Sequence, residues 1–145
     1  WGREGTRQRA AAAGLEVAAS QEDFFQRSDV LSLNLRLNPE TRGIVTAANL
    51  ASMKPTAVLV NTSRAPLVEA GALEAALKAG RPGMAAVDVF DEEPVIEHTL
   101  LALPNFLATP HLGYVEKDSY ELYFGDAFEN VLAFDAGTPG RNLAE

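Results

Sequence analysis

Three short apolar runs constrain the fold more than any other feature: TAVLVN (56–61), GMAAVDVF (83–90) and NFLATP (105–110). Each is a near-continuous run of Val, Leu, Ala or Phe, the pattern of a strand buried on both faces. Helical patterns lie beside them. LVEAGALEAALKAG (67–80) carries apolar residues at Leu73, Ala76 and Leu77 and stops at Gly80. Upstream, DVLSLNLRL (29–37) is a fourth β-type segment, with Val30, Leu31, Leu33, Leu35 and Leu37. Strands alternating with helices predict βαβ units, and hence an α/β fold with a parallel sheet covered on both faces.

The remaining segments fit this plan. An Arg- and Ala-rich stretch over 3–13 predicts a helix ended by Gly14. LEVAA (15–19) reads as a short strand. Ser20 with Asp23 three residues on predicts a capped helix within 20–28, and Pro39 marks a short helical turn. Thr46 caps a helix over 46–53. From 115 to 134 the pattern predicts a long amphipathic helix with Leu122, Tyr123, Ala127, Val131 and Phe134 on its apolar side.

At 145 residues the chain is long enough for one domain with a real core. Its net charge of −8 and pI of about 4.7 argue against a nucleic-acid partner, which needs a basic face. No apolar run reaches the roughly 18 residues of a membrane helix, so no membrane partner is expected. Without cysteine there is no disulfide framework and no thiol nucleophile, which suits the cytosol. The sequence opens on WGREGTRQRAAAAG, with neither Met nor a signal-peptide pattern, and is expected to be a fragment.

In open parallel sheets, ligands bind beyond the carboxyl ends of the strands. After AVLVN comes TSR, ending at Arg64; after MAAV comes DVFDEEP, with Asp88, Asp91, Glu92 and Glu93; after FLAT comes PHLG, with His111. Taken singly, each has a plain structural reading. Arg64 could be a solvated loop residue, the acidic run a solvated face or a helix start, and His111 a hydrogen-bonded loop histidine. Jointly they suit one reaction type. An arginine holds a carboxylate by two parallel hydrogen bonds, and a histidine paired with a carboxylate is the usual general acid/base. His98, in IEHTLL, is read as structural or surface.

The segments VLVNTSRAPLVEAGALEAALKAG, AAVDVFDEEP and LPNFLATPHLGY, with DVLSLNLRLNPETRGIV before them, resemble the signature segments of the D-isomer-specific 2-hydroxyacid dehydrogenases. That family includes D-3-phosphoglycerate dehydrogenase and glyoxylate/hydroxypyruvate reductases. The resemblance implies a two-domain parent enzyme with a Rossmann-type, doubly wound cofactor domain. It also implies that residues 1–113 are the C-terminal portion of that domain, and that 114–145 are a helix and segment returning toward a substrate domain expected to be missing from this sequence. The chain alone is expected to be inactive.

Carried over by motif position, Arg64 resembles the substrate-carboxylate arginine, Glu93 the acid that pairs with the histidine, and His111 the acid/base. Asp88 resembles the residue that contacts the nicotinamide carboxamide. Leu35, Thr62, Ser63, Arg64 and the His111–Tyr114 turn with Gly113 fall where the family lines its cofactor. Asp91 and Glu92 occupy variable positions. The related formate dehydrogenases carry Gln where Glu93 stands, which disfavours that branch. The implied cofactor is NAD, with NADP possible, and the implied substrate is a small 2-hydroxy or 2-keto acid. A cytoplasmic homodimer is the implied setting. The alternative is a dinucleotide-sensing corepressor of the same family.

The chemistry suits these roles. Reduction of a 2-keto acid needs a hydride at C2 and a proton at its oxygen. His111 as imidazolium can give that proton, Glu93 can orient the ring and favour its charged form, and Arg64 can fix the carboxylate and polarise the carbonyl.

Three departures stand out. The G-x-G-x-x-G phosphate turn is absent, and WGREG has the wrong spacing. Gly2 stands where the family places a ribose-binding acid, and Arg3 follows it, which suits a 2′-phosphate; the other reading is a solvent-facing arginine. Asn34 and Arg36 replace the His and Pro of a common HxPL pattern.

Overall fold

The structure, a computed structural model, describes residues 1–138, which fall into two compact units, Trp1–His111 and a second that begins at Leu112. The first unit holds a four-stranded parallel sheet of β1 (Val30–Leu33), β2 (Val58–Asn61), β3 (Met84–Val87) and β4 (Phe106–Ala108), in the spatial order β1-β2-β3-β4. The register aligns Leu33 with Asn61, Asn61 with Val87, and Val87 with Ala108. All four carboxyl ends therefore lie on one edge, and the residues after β2, β3 and β4 leave the sheet side by side.

The helices form where local chemistry favours them. α1 (Glu4–Ala12) follows the Arg- and Ala-rich composition and buries no residue. α2 (Gln21–Arg27) starts at Ser20, whose hydroxyl accepts from the Asp23 amide, while Asp23 accepts in return from the Ala19 amide. α3 (Ala47–Ser52) has a full capping box between Thr46 and Asn49. α4 (Ala72–Lys78) buries Ala72, Leu73, Ala76 and Leu77, and Gly80 ends it with a φ of 76°, a backbone that glycine adopts without penalty.

These faces meet one side of the sheet. Leu31, Leu33, Leu59, Ala85 and Val87 from the strands pack with Phe25, Leu50, Met53, Leu67, Leu73 and Leu77 in one core. Burial alternates along the strands, whose successive side chains point to opposite faces. Leu59 and Asn61 are buried, whereas Val58 and Val60 are half-buried. The second face of the sheet is thus only part-covered by the described residues, in keeping with an incomplete doubly wound sheet.

Two expectations are corrected. Residues 15–19 form no strand. Leu15 is exposed and the Ala19 amide is spent on capping α2, so the segment offers neither a buried apolar face nor that amide to a sheet ladder. The β-type segment 29–37 stops pairing at Leu33, because the next ladder position is taken by a side chain: the Ser63 hydroxyl donates to the Leu33 carbonyl at 2.8 Å.

The start of β3 is set by close backbone approach. A Cβ built on Gly83 would overlap the Pro55 carbonyl oxygen, so the loop before β2 and the start of β3 can touch only with glycine there. Gly83→Ala is expected to lower stability by about 3 kcal/mol, the upper part of the usual overpacking range, since the obstacle is backbone and not a flexible side chain. Urea denaturation of the complete protein measures it, and a loss under about 0.5 kcal/mol, the scale of ordinary surface substitutions, contradicts the close approach.

The second unit consists of the turn after His111 and α5 (Lys117–Asp135). Tyr114 stacks on Tyr120, which is tilted against Phe124. α5 buries no residue. Leu122, Tyr123 and Phe124 are consecutive and all exposed, so its apolar surface is broader than the single expected stripe. No described helix is long and apolar enough to cross a membrane. Of the expected returning segment, residues 139–145 lie outside the described residues.

Candidate functional site

The end of β2 carries the first group. Asn61 is only 2 % exposed, a polar side chain at the end of an apolar strand. Its Oδ1 accepts from the Ser63 amide at 3.1 Å and its Nδ2 donates to the Arg64 carbonyl at 3.0 Å. The loop Thr62–Ser63–Arg64 is thereby folded against the strand, and the Ser63 hydroxyl ties it to the end of β1. Thr62 and Arg64 are exposed and Ser63 is half-buried. The Arg64 guanidinium folds back onto the Ser63 carbonyl at 2.6 Å.

At the end of β3, Asp88 is buried, its amide donating to the Asn61 carbonyl at 3.0 Å. Its Oδ1 accepts from the Thr109 hydroxyl at the end of β4. The DVFDEEP loop then turns so that Glu93 accepts from the Phe90 amide at 2.9 Å through Oε1. Asp91 and Glu92 are exposed.

His111 completes the set. Its Nδ1 lies 2.8 Å from Glu93 Oε2, and both side chains are 35 % exposed. His111 has a φ of 56°, the left-handed region that non-glycine residues rarely adopt and that clusters at functional sites. The turn aims the ring at Glu93. The Glu93 carboxyl is held below the ordinary glutamate range, first by the Phe90 amide and then by His111; desolvation, and less strongly neighbouring Asp88, oppose the shift. A carboxyl with a lowered pKa keeps its pairing above its unfolded-state titration and loses it only as pH falls through the lower, folded value. We therefore expect the Glu93 carboxyl carbon, followed by NMR, to titrate below the ordinary range. In His111→Ala its midpoint should rise but stay lowered, because the Phe90 amide remains. A midpoint unmoved by His111→Ala contradicts the pairing.

The residues expected along a cofactor divide in two. Leu35, half-buried beyond β1, and Arg3 line one cavity of about 430 Å³, with Gly2, Leu33 and Arg36. Thr62, Ser63, Arg64, Asp88 and His111 stand at the ends of β2, β3 and β4. Gly113 belongs to the second unit. His98 stands apart from the Glu93–His111 pair in its bonding: its Nδ1 accepts from the Leu100 amide, capping the 3-10 turn Thr99–Ala102, and its ring meets Phe90 edge-on at 5.4 Å.

Sequence reasoning missed Asn61 and Thr109, whose side chains bind the strand-end loops to one another. The available signal was a polar side chain ending each apolar run.

Comparison with known proteins agrees with this fold. The family model described as "D-isomer specific 2-hydroxyacid dehydrogenase, NAD binding domain" matches residues 1–113. A solved oxidoreductase structure from Ralstonia solanacearum is 57 % identical, with a TM-score of 0.90 over 95 % of this chain and 41 % of its own. The glycerate dehydrogenase of Methylorubrum extorquens is 36 % identical over 94 % of this chain and 48 % of its own length, so the chain spans under half of that relative. A D-isomer-specific 2-hydroxyacid dehydrogenase of Xanthobacter autotrophicus, solved with NADPH, is 35 % identical, with a TM-score of 0.64 over 82 % of this chain and 49 % of its own. The chain belongs to the D-isomer-specific 2-hydroxyacid dehydrogenase family, and residues 1–113 match its NAD-binding domain.

Proposed function

We propose that the complete protein interconverts a D-2-hydroxy acid and a 2-keto acid with NAD(P), and that Arg64, Glu93 and His111 are its catalytic residues. The observation that carries this reading is the 2.8 Å pairing of His111 with Glu93, at the sheet edge where Arg64 also emerges. With Nδ1 turned to Glu93, Nε2 is the atom that gives a proton to the keto oxygen and takes it back in the reverse direction. Glu93 fixes the ring and balances the charge of the imidazolium. Arg64 leaves the Ser63 carbonyl to grip the substrate carboxylate with its fork.

The residues present fit the dinucleotide. Asp88 is a buried acceptor suited to a carboxamide NH₂, and the cavity at Leu35 joins an apolar wall to two arginines, Arg3 and Arg36. Thr62 and Ser63 are assigned to the same cofactor lining, and Gly113 is assigned to it by family resemblance alone. When bound, the nicotinamide supplies or accepts the hydride. In this reading residues 1–113 are the cofactor-binding portion and 114–145 lead toward the substrate domain. The protein acts on small-molecule acids as a cytoplasmic homodimer, without nucleic-acid or membrane partners; the acidic net charge and the absence of cysteine suit this setting.

NAD(P)H oxidation against a panel of 2-keto acids tests the proposal. Dinucleotide binding without turnover of any of them replaces it with the corepressor-type sensor. The arginines make a second expectation. Arg3→Ala should reduce kcat/KM with NADPH by about tenfold, the worth of a charge-assisted contact of about 1.5 kcal/mol, and leave NADH nearly unchanged. A strong NADH preference that Arg3→Ala does not alter assigns Arg3 to solvent.

A further inference from the structure

We infer that Asn61 is a positioning residue for substrate binding, acting through Arg64; the inference rests on the role proposed for Arg64 above. The interior of a parallel strand favours an aliphatic side chain, and Leu59 and Val87, the buried neighbours of Asn61, are aliphatic. Asn61 departs from that pattern while almost wholly buried. Both arms of its amide are spent on the loop that presents Arg64: one on the Ser63 amide, one on the Arg64 carbonyl. Its own carbonyl accepts from the Asp88 amide. One residue therefore sets the distance between the substrate arginine and the strand end that carries Asp88.

The side-chain bonds do not hold the sheet together. They end on a loop that is exposed at Thr62 and Arg64 and half-buried at Ser63, where water can replace them. A leucine of similar size at this position satisfies the strand interior and frees the loop. Misplacing a positioning group by about 1 Å can cost a hundredfold in rate, so the arginine fork is sensitive to such freedom.

The test uses the complete protein with glyoxylate as the probe substrate. In Asn61→Leu the KM for glyoxylate should rise about tenfold or more and by more than the KM for the reduced dinucleotide, whose proposed lining includes Thr62 and Ser63 of the same loop, while thermal stability is kept. Asn61→Asp, which replaces the donor to the Arg64 carbonyl by a carboxyl oxygen that repels it, should show the same split; it carries the test if the leucine variant fails to fold. In an Arg64→Ala background neither substitution should cost anything further, the signature of two residues acting as a unit. Backbone hydrogen exchange gives a readout independent of turnover: the Ser63 amide should exchange at least tenfold faster in Asn61→Leu, with the amides of β2 and β3 unchanged.

Equal rises in both KM values, costs additive with Arg64→Ala, or unchanged exchange at Ser63 overturn the inference. A wild-type protein that binds dinucleotide but reduces no 2-keto acid overturns the proposed function and the substrate role of Asn61 with it. Faster Ser63 exchange in that case still identifies Asn61 as the clamp of the loop, which separates the two failures.

Discussion

His111→Ala in the complete protein is expected to lower kcat for keto-acid reduction by about 10²–10⁴-fold, the usual contribution of a positioned general acid, while dinucleotide affinity stays within a few-fold. The size follows from what the substitution removes. Alanine takes away the only imidazole paired with a carboxylate among the described residues, and Glu93 cannot replace it, because its pKa is lowered and it is a carboxylate at neutral pH. Water can approach the keto oxygen, but without the orientation that the left-handed turn at His111 imposes. Glu93→Gln should cost less, because the ring keeps a hydrogen-bonding partner and loses only the charge. Steady-state kinetics with saturating NADH, alongside dinucleotide binding by fluorescence, separate the two quantities. Near-normal turnover by His111→Ala with every acid that the wild type reduces removes the acid/base assignment.

Much of this arrangement is legible in the sequence, for a physical reason. A parallel strand buried against helices needs an apolar run, and the residue after the run must leave the sheet at its carboxyl edge. The runs ending at Asn61, Val87 and Ala108 therefore locate Arg64, Asp88 and His111 before any coordinates exist, and the register confirms the common edge. LEVAA fails as a strand because composition does not say whether a neighbour is there to pair with. The run 29–37 is overextended for a related reason: pairing ends when the Ser63 hydroxyl takes the Leu33 carbonyl, a contact between residues thirty positions apart that no local pattern encodes.

The left-handed backbone of His111 is equally hidden. Histidine has no glycine-like signature, and its conformation is imposed by the turn between β4 and the following segment. The role of Asn61 is half-visible: an amide closing an apolar run is unusual, but its two partners emerge only from the fold. Glu93 was separable from Asp91 and Glu92 by family resemblance alone. In the structure it stands out because it accepts from the Phe90 amide and meets His111.

Arg64→Ala should act on the other half of the reaction, raising the KM for the 2-keto acid and lowering kcat/KM by about 10²–10³-fold. Two parallel hydrogen bonds between charged partners, each worth about 1.5–3 kcal/mol, are lost, and water recovers part of them. Arginine is matched to this task in two ways. Its fork fits a carboxylate in plane, and its charge polarises the adjacent carbonyl as negative charge grows on oxygen. Arg64→Lys should therefore fall between wild type and alanine, keeping the charge but not the fork. The guanidinium now rests on the Ser63 carbonyl, an exposed contact that releases readily when a carboxylate competes for it. The loop itself is held by Asn61 through backbone atoms, so removing the Arg64 side chain leaves the fold and the other cofactor-lining residues in place. The expected pattern is thus a large rise in keto-acid KM with little change in dinucleotide KM. If Arg64→Ala weakens dinucleotide binding as much as keto-acid binding, Arg64 is a cofactor residue and the carboxylate is held elsewhere.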